Sequence, residues 1–174
     1  MSNEHVGRAR RWRLVAVAGL ALAAAACGSD ATNTEGASAS AAAPFTADRL
    51  GGGELASSSF SGQDTVLWFW APWCTTCRAE APNVVAAAEA LDGQVEVIGV
   101  AGRGEVPEME DFVDETGTGG LTHVVDPDGS IWADFGVASQ PAFAFIDDDG
   151  SVEMVIGAMG ETAFTQRMTE LAAA

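Results

Sequence analysis

Along the chain, short unbroken apolar runs take turns with apolar stripes of helical period. Val66-Leu67-Trp68-Phe69-Trp70 is a continuous run of β-formers, the pattern of a strand buried on both faces. After a turn, Cys74 to Leu91 places Val84, Ala88 and Leu91 on one stripe and predicts a helix. Val95-Glu96-Val97-Ile98-Gly99-Val100 predicts the next strand. Val106, Met109, Phe112 and Val113 then share a helical face between Pro107 and Thr116. A short strand near His123–Val125 runs into the turn Asp126-Pro127-Asp128-Gly129, followed by a brief helix over Ile131 to Phe135. Phe143-Ala144-Phe145-Ile146, the turn Asp147-Asp148-Asp149-Gly150 and alternating Val152, Met154 and Ile156 predict a β-hairpin. Phe164, Met168 and Leu171 form the apolar face of a C-terminal helix. The order is βαβα, then strand and short helix, then ββα. This is an α/β chain with no internal repeat.

The first 44 residues follow neither period. Arg8, Arg10, Arg11 and Arg13 form a basic start, and Leu14 to Ala26 is an uncharged run rich in Ala, Leu and Val. That run is short of the roughly 20 residues a bilayer-spanning helix needs. It fits the hydrophobic region of a secretory signal, so residues 1–26 are expected to be an export signal. Leu22-Ala23-Ala24-Ala25-Ala26-Cys27-Gly28-Ser29-Asp30 resembles a bacterial lipoprotein lipobox, with Cys27 as the lipidated residue and Ala24 where such boxes usually carry Leu. Ordinary cleavage after a small residue, leaving Cys27 as a spare thiol, is the alternative. Residues 28–44 hold no large apolar side chain and cannot bury enough surface to offset chain entropy. Residues 27–44 therefore read as a disordered tether reaching about 20–25 Å. The folded domain is expected over residues 45–174, long enough for one core and no second domain.

Charge narrows the function. The 174 residues carry 8 basic and 25 acidic side chains, a net −17, and every basic one is arginine. From residue 27 onward, 4 arginines face 24 acids. Such a chain repels phosphate backbones, which excludes nucleic-acid binding through a basic patch. It repels anionic headgroups too, so membrane attachment has to be covalent or signal-borne.

The remaining chemistry lies in Cys74-Thr75-Thr76-Cys77, where a buried strand hands over to a helix. Zinc would need four ligands, and His123 is the only further His or Cys in the expected domain, so no metal is expected. A structural disulfide across so short a loop restricts the unfolded chain little. A dithiol at a helix N-terminus has a more direct rationale. The first-turn N–H groups and the positive end of the dipole stabilise a thiolate on Cys74, and Cys77 lies one turn inward to resolve a mixed disulfide. No cofactor is expected beyond that redox-active pair. The acidic turns at 126–129 and 147–150 lack calcium-loop spacing and read as hairpin chemistry. Gly102-Arg103-Gly104 and Gly117-Thr118-Gly119-Gly120 read as plain loops, and His123 as a satisfied strand-edge histidine.

Trp70-Ala71-Pro72-Trp73-Cys74-Thr75-Thr76-Cys77-Arg78-Ala79-Glu80-Ala81-Pro82 resembles the active-site segment of the thioredoxin superfamily. Its Cys-x-x-Glu-x-Pro ending is similar to the extracytoplasmic TlpA/ResA/DsbE-like branch, also known as redoxin domains. The Asp-x-Asp-Gly turn and Val137-Ala138-Ser139-Gln140-Pro141 before the hairpin extend the resemblance over roughly residues 45–174. It implies a thioredoxin-like fold, a central mixed sheet flanked by helices. It also implies a cis Pro141 facing the cysteines, with the backbone of its neighbour Gln140 holding the substrate strand. Pro82 would kink the active-site helix, an architectural role. Cytoplasmic thioredoxins carry a buried acid six residues before the first cysteine, where this chain has Trp68. Glu80, on the helix face of Cys77, becomes the candidate proton acceptor when Cys77 attacks; an acid simply favoured near a helix start is the plainer reading. Trp73 is the candidate substrate surface, with packing as its alternative.

Three functions compete at this stage. One is a membrane-tethered, extracytoplasmic thiol–disulfide oxidoreductase acting on thiols or disulfides of exported proteins. It would be monomeric, lipid-anchored through Cys27 and recycled by a membrane redox partner. The second is a dedicated apocytochrome c thiol reductase. The third is a non-catalytic lipoprotein binding module on a thioredoxin scaffold, which an intact dithiol disfavours. Peroxidase activity is weaker, because Cys74 stands where the Pro-x-x-x-Thr-x-x-Cys arrangement needs threonine before Cys77.

Overall fold

The computed structural model describes residues 44–174. The expected signal segment 1–26, Cys27 and nearly all of the expected tether lie outside the described residues. A small hairpin opens the domain, β1 (Thr46–Asp48) pairing antiparallel with β2 (Glu54–Ala56). The main sheet is built from β3 (Thr65–Trp70), β4 (Glu96–Gly102), β5 (Thr122–Asp126), β6 (Ala142–Ile146) and β7 (Val152–Ile156). Its spatial order is β5-β4-β3-β6-β7. β3, β4 and β5 run parallel, while β6 is antiparallel to β3 and β7 to β6, so the sheet is mixed. The helices are α1 (Thr75–Ala90), α2 (Val106–Thr116), α3 (Ser130–Asp134) and α4 (Glu161–Leu171). This is a thioredoxin-like fold.

Every residue of β3 is buried, because the strand is central and both its faces are covered. Its alternation divides the core in two. Val66, Trp68 and Trp70 pack with Val84 and Ala87 of α1, Met109 and Phe112 of α2, and Phe164 and Met168 of α4. Leu67 and Phe69 face the other way, onto Trp132 and Phe135 around α3 and Phe60 of the lead-in segment. Trp70 stacks on Phe112 with ring centroids 4.1 Å apart. α1 continues through Pro82 although proline removes one helical hydrogen bond, at a cost of about 3 kcal/mol in a helix interior. The buried stripe on either side of it, Cys77 to Ala87, offsets that loss.

Ahead of β3, where the sequence pattern predicts no element, β1 and β2 pair and Arg49 bridges to Val124 of the edge strand β5. Two local expectations change. Val106 is 44% exposed, because it is the first residue of α2 and the buried stripe begins one turn later at Met109. The 147–150 turn does join a hairpin, but the 126–129 turn does not. There Asp126 is buried and acts as a cap, its carboxylate accepting from Ile131 N at 3.3 Å and Trp132 N at 2.9 Å at the start of α3.

Candidate functional site

β3 ends at Trp70, the chain turns through Ala71-Pro72-Trp73, and Cys74 becomes the N-cap of α1 with extended backbone, φ −76° and ψ 104°. Its Sγ accepts the Cys77 backbone N–H at 3.0 Å, the place a serine or aspartate oxygen takes at other N-caps. Cys74 and Cys77 are joined as a disulfide with Cα atoms 5.3 Å apart. No acid stands in the first turn of α1, so the dipole's positive end acts on Cys74 uncompensated. Cys74 keeps a sliver of exposure at 5%, whereas Cys77 has none. Any partner therefore reaches Cys74 first.

Glu80 lies one turn beyond Cys77 and is buried despite its charge. One carboxylate oxygen accepts the Met159 backbone N–H, and the other has no hydrogen-bond partner among the described residues. Burial is the main cause that pushes its pKa up from 4.5 to about 7, and the Met159 bond offsets part of the rise. The group is thus poised to hold or release a proton near neutrality. Trp68, in the place of the thioredoxin acid, has no partner for its indole N–H among the described residues and cannot titrate there.

Trp73 is 59% exposed beside the dithiol, the most exposed large apolar side chain among the described residues. Its Nε1–H donates to the Arg103 carbonyl at 2.7 Å. The Arg103 guanidinium in turn donates to Gln140 Oε1 at 3.1 Å and to the Ala138 carbonyl at 3.0 Å. The Gln140–Pro141 peptide bond is cis, and the Pro141 carbonyl accepts from Gly157 N at 2.8 Å. These contacts join Trp73 of the Cys74 turn, through Arg103, to Ala138 and Gln140 of the loop that ends in the cis bond to buried Pro141. Arg103 is the member that sequence reasoning missed. Arg78 steadies the turn from below, donating to the Pro72 carbonyl at 3.1 Å, pairing with Glu115 and lying 4.9 Å from the Phe112 ring centroid.

His123 stays outside this group. Its Nδ1 accepts from Trp70 Nε1 at 3.3 Å, so Nε2–H donates to the Thr118 carbonyl at 3.0 Å. Burial lowers its pKa and keeps the ring neutral, the satisfied edge-strand histidine the sequence predicts. No cluster of His, Cys, Asp or Glu suited to a metal occurs among the described residues.

Residues 39–155 match the AhpC/TSA family. The chain belongs to that family. MTB dsbF, solved in its mixed oxidized and reduced forms, is 45% identical, with a TM-score of 0.71 over 73% of this chain and 94% of that one. A secreted Mycobacterium tuberculosis disulfide oxidoreductase homologous to E. coli DsbE is 38% identical, with a TM-score of 0.69 over 73% of this chain and 96% of that one. The thiol:disulfide interchange protein HelX of Rhodobacter capsulatus is 29% identical over 130-odd positions, 76% of this chain and 69% of HelX. With the dithiol at the head of α1, this AhpC/TSA member is a thiol–disulfide oxidoreductase of the thioredoxin superfamily.

Proposed function

We propose that this AhpC/TSA protein exchanges disulfides with exported proteins through Cys74, resolves the intermediate with Cys77, and is held outside the membrane by lipid on Cys27. The observation that carries the reading is the unequal placement of the two sulfurs. Cys74 caps α1 with a sliver of exposure beside exposed Trp73, and Cys77 lies fully buried one turn further in. In the reducing direction, the Cys74 thiolate attacks one sulfur of a substrate disulfide and the other substrate sulfur leaves as a thiolate. Cys77 then loses its proton to the Glu80 carboxylate and attacks Cys74 Sγ. The mixed disulfide breaks, the second substrate thiolate departs, and the protein is left with the Cys74–Cys77 disulfide. In the oxidising direction a substrate thiolate attacks Cys74 Sγ, and Cys77 leaves as a thiolate and takes a proton from protonated Glu80. A second substrate thiolate then attacks the substrate sulfur of the mixed disulfide, forming the substrate disulfide and expelling Cys74 as a thiolate. Electrons balance in both directions with no further cofactor.

Trp73, Gln140 and Pro141 form the surface on which the substrate strand lies. Peroxide reduction is the poorer fit, since Cys77 stands at the attacking position of the peroxidase arrangement and has no exposure. The secreted relative supports export of this chain. Recycling of the dithiol falls to a membrane redox partner. The test is exchange between the reduced protein and a peptide disulfide, with Cys74→Ser alongside. Wild type is expected to exchange and Cys74→Ser to be inert. Exchange by Cys74→Ser at the wild-type rate would overturn the assignment.

A further inference from the structure

Arg103 is the one non-glycine residue with positive φ among the described residues, at 58°. Glycine occupies that conformation without strain, and L side chains rarely adopt it. Glycines stand on both sides, so the chain places its arginine at the strained position and its glycines next to it. Each neighbour has a steric reason. A Cβ on Gly102 would lie 2.7 Å from Trp132 Nε1, on the ring over which the Arg103 guanidinium lies 4.6 Å from the centroid. A Cβ on Gly104 would lie 2.3 Å from Pro72 Cγ, in the turn that leads to Trp73. The loop thus approaches both the platform and the active-site turn as closely as backbone allows.

The contacts of Arg103 explain why strain is retained there. Its carbonyl takes the Trp73 indole N–H, and its guanidinium takes Gln140 Oε1 and the Ala138 carbonyl. One residue therefore ties the turn carrying Cys74 to the loop that ends in Pro141. Its acceptors are neutral, whereas Arg78 and Arg167 are paired with glutamates. A planar fork over the Trp132 ring presents its N–H groups to two acceptors in fixed directions, whereas a lysine ammonium is a compact point charge without that fork.

We propose that Arg103 is a positioning residue that holds Trp73 and the 138–141 loop in register, so that a substrate's cysteine-bearing strand meets a preformed surface. The proposal rests on the thiol–disulfide reading above. A preformed surface lowers the ordering cost of binding and leaves the chemistry at Cys74 to the dithiol.

The test is steady-state exchange with a peptide disulfide across a pH range, using Arg103→Gly. Glycine accepts the φ of 58° and leaves the backbone carbonyl in place for Trp73, so the fold is kept. KM is expected to rise about 3- to 10-fold, the loss from freeing one or two side chains. kcat is expected to fall less than about twofold and the pH–rate profile to keep its position. With Gln140→Ala already present, Arg103→Gly should raise KM by clearly less than it does alone, because part of its effect passes through Gln140. Arg103→Lys should recover less than about half of the lost affinity, having charge without the fork. An unchanged KM in Arg103→Gly, or effects of Arg103→Gly and Gln140→Ala that simply multiply, would overturn the proposal. So would an equal loss in kcat, or full recovery with lysine. Wild type that exchanged nothing would instead overturn the functional reading itself, an outcome distinct from a working enzyme indifferent to Arg103.

Discussion

Replacing Glu80 with glutamine keeps the shape of the side chain and removes its proton chemistry. In the folded chain the carboxyl titrates at about 7 against an ordinary 4.5, with burial as the cause. Between those values the folded chain holds more protons than the unfolded one, so this group's contribution to stability falls as pH rises through the window. At about 1.4 kcal/mol per pH unit, the gap from 4.5 to about 7 amounts to about 3 kcal/mol. Urea unfolding of the disulfide form at a series of pH values measures it. The stability of Glu80→Gln relative to wild type should climb by about 3 kcal/mol from pH 4 to pH 8. The difference between the two chains isolates Glu80 from His123. The histidine's lowered pKa works the other way, adding stability that is lost as pH falls below 6.5. The same substitution should slow resolution of a mixed disulfide about 10- to 100-fold at pH 7, where about half of Glu80 is ionised and able to accept the Cys77 proton. First attack by Cys74 should change less, and resolution should recover as hydroxide replaces the carboxylate at high pH. A stability difference independent of pH would refute the raised pKa. An unchanged resolution rate at pH 7 would remove Glu80 from the resolution step.

Two further substitutions probe the frame and the anchor. Gly99→Ala places a Cβ 2.1 Å from His123 Nδ1 and 2.7 Å from Trp70 Nε1. It should destabilise the domain by about 1–3 kcal/mol, read as a lowered urea midpoint, and a midpoint equal to wild type would contradict the packing described. Cys27→Ala should move the protein from the membrane fraction to the medium, since two or more acyl chains anchor stably. Wild type found wholly in the medium would instead favour ordinary cleavage.

The parts of the site that were legible in the sequence are those with local chemistry. Val66 to Trp70 has no polar residue to expose, so its central place in the sheet could be read directly. Cys74 and Cys77 stand at a strand-to-helix junction that fixes which sulfur faces out. The hairpin β1–β2 was hidden because Thr46–Asp48 and Glu54–Ala56 are too short for alternation to register. Asp126 looked like turn chemistry because its partners are the N–H groups of Ile131 and Trp132, which only the fold brings back to it. Arg103 was invisible for the same reason. Its acceptors lie 35 and 37 positions along the chain, and its other contact is a backbone carbonyl that any residue would supply. The available signal was an arginine flanked by glycines, in a region where 4 arginines face 24 acids.

Division of labour between the two sulfurs is tested most directly by incubating reduced Cys77→Ser with a peptide disulfide and mapping the product by mass spectrometry. Cys77 is buried behind Cys74, so attack should come from Cys74 and the product should have no route to resolution. A stable mixed disulfide carried on Cys74, accumulating to one peptide per chain, is the expected result. Turnover by Cys77→Ser at the wild-type rate, with no trapped species, would contradict it.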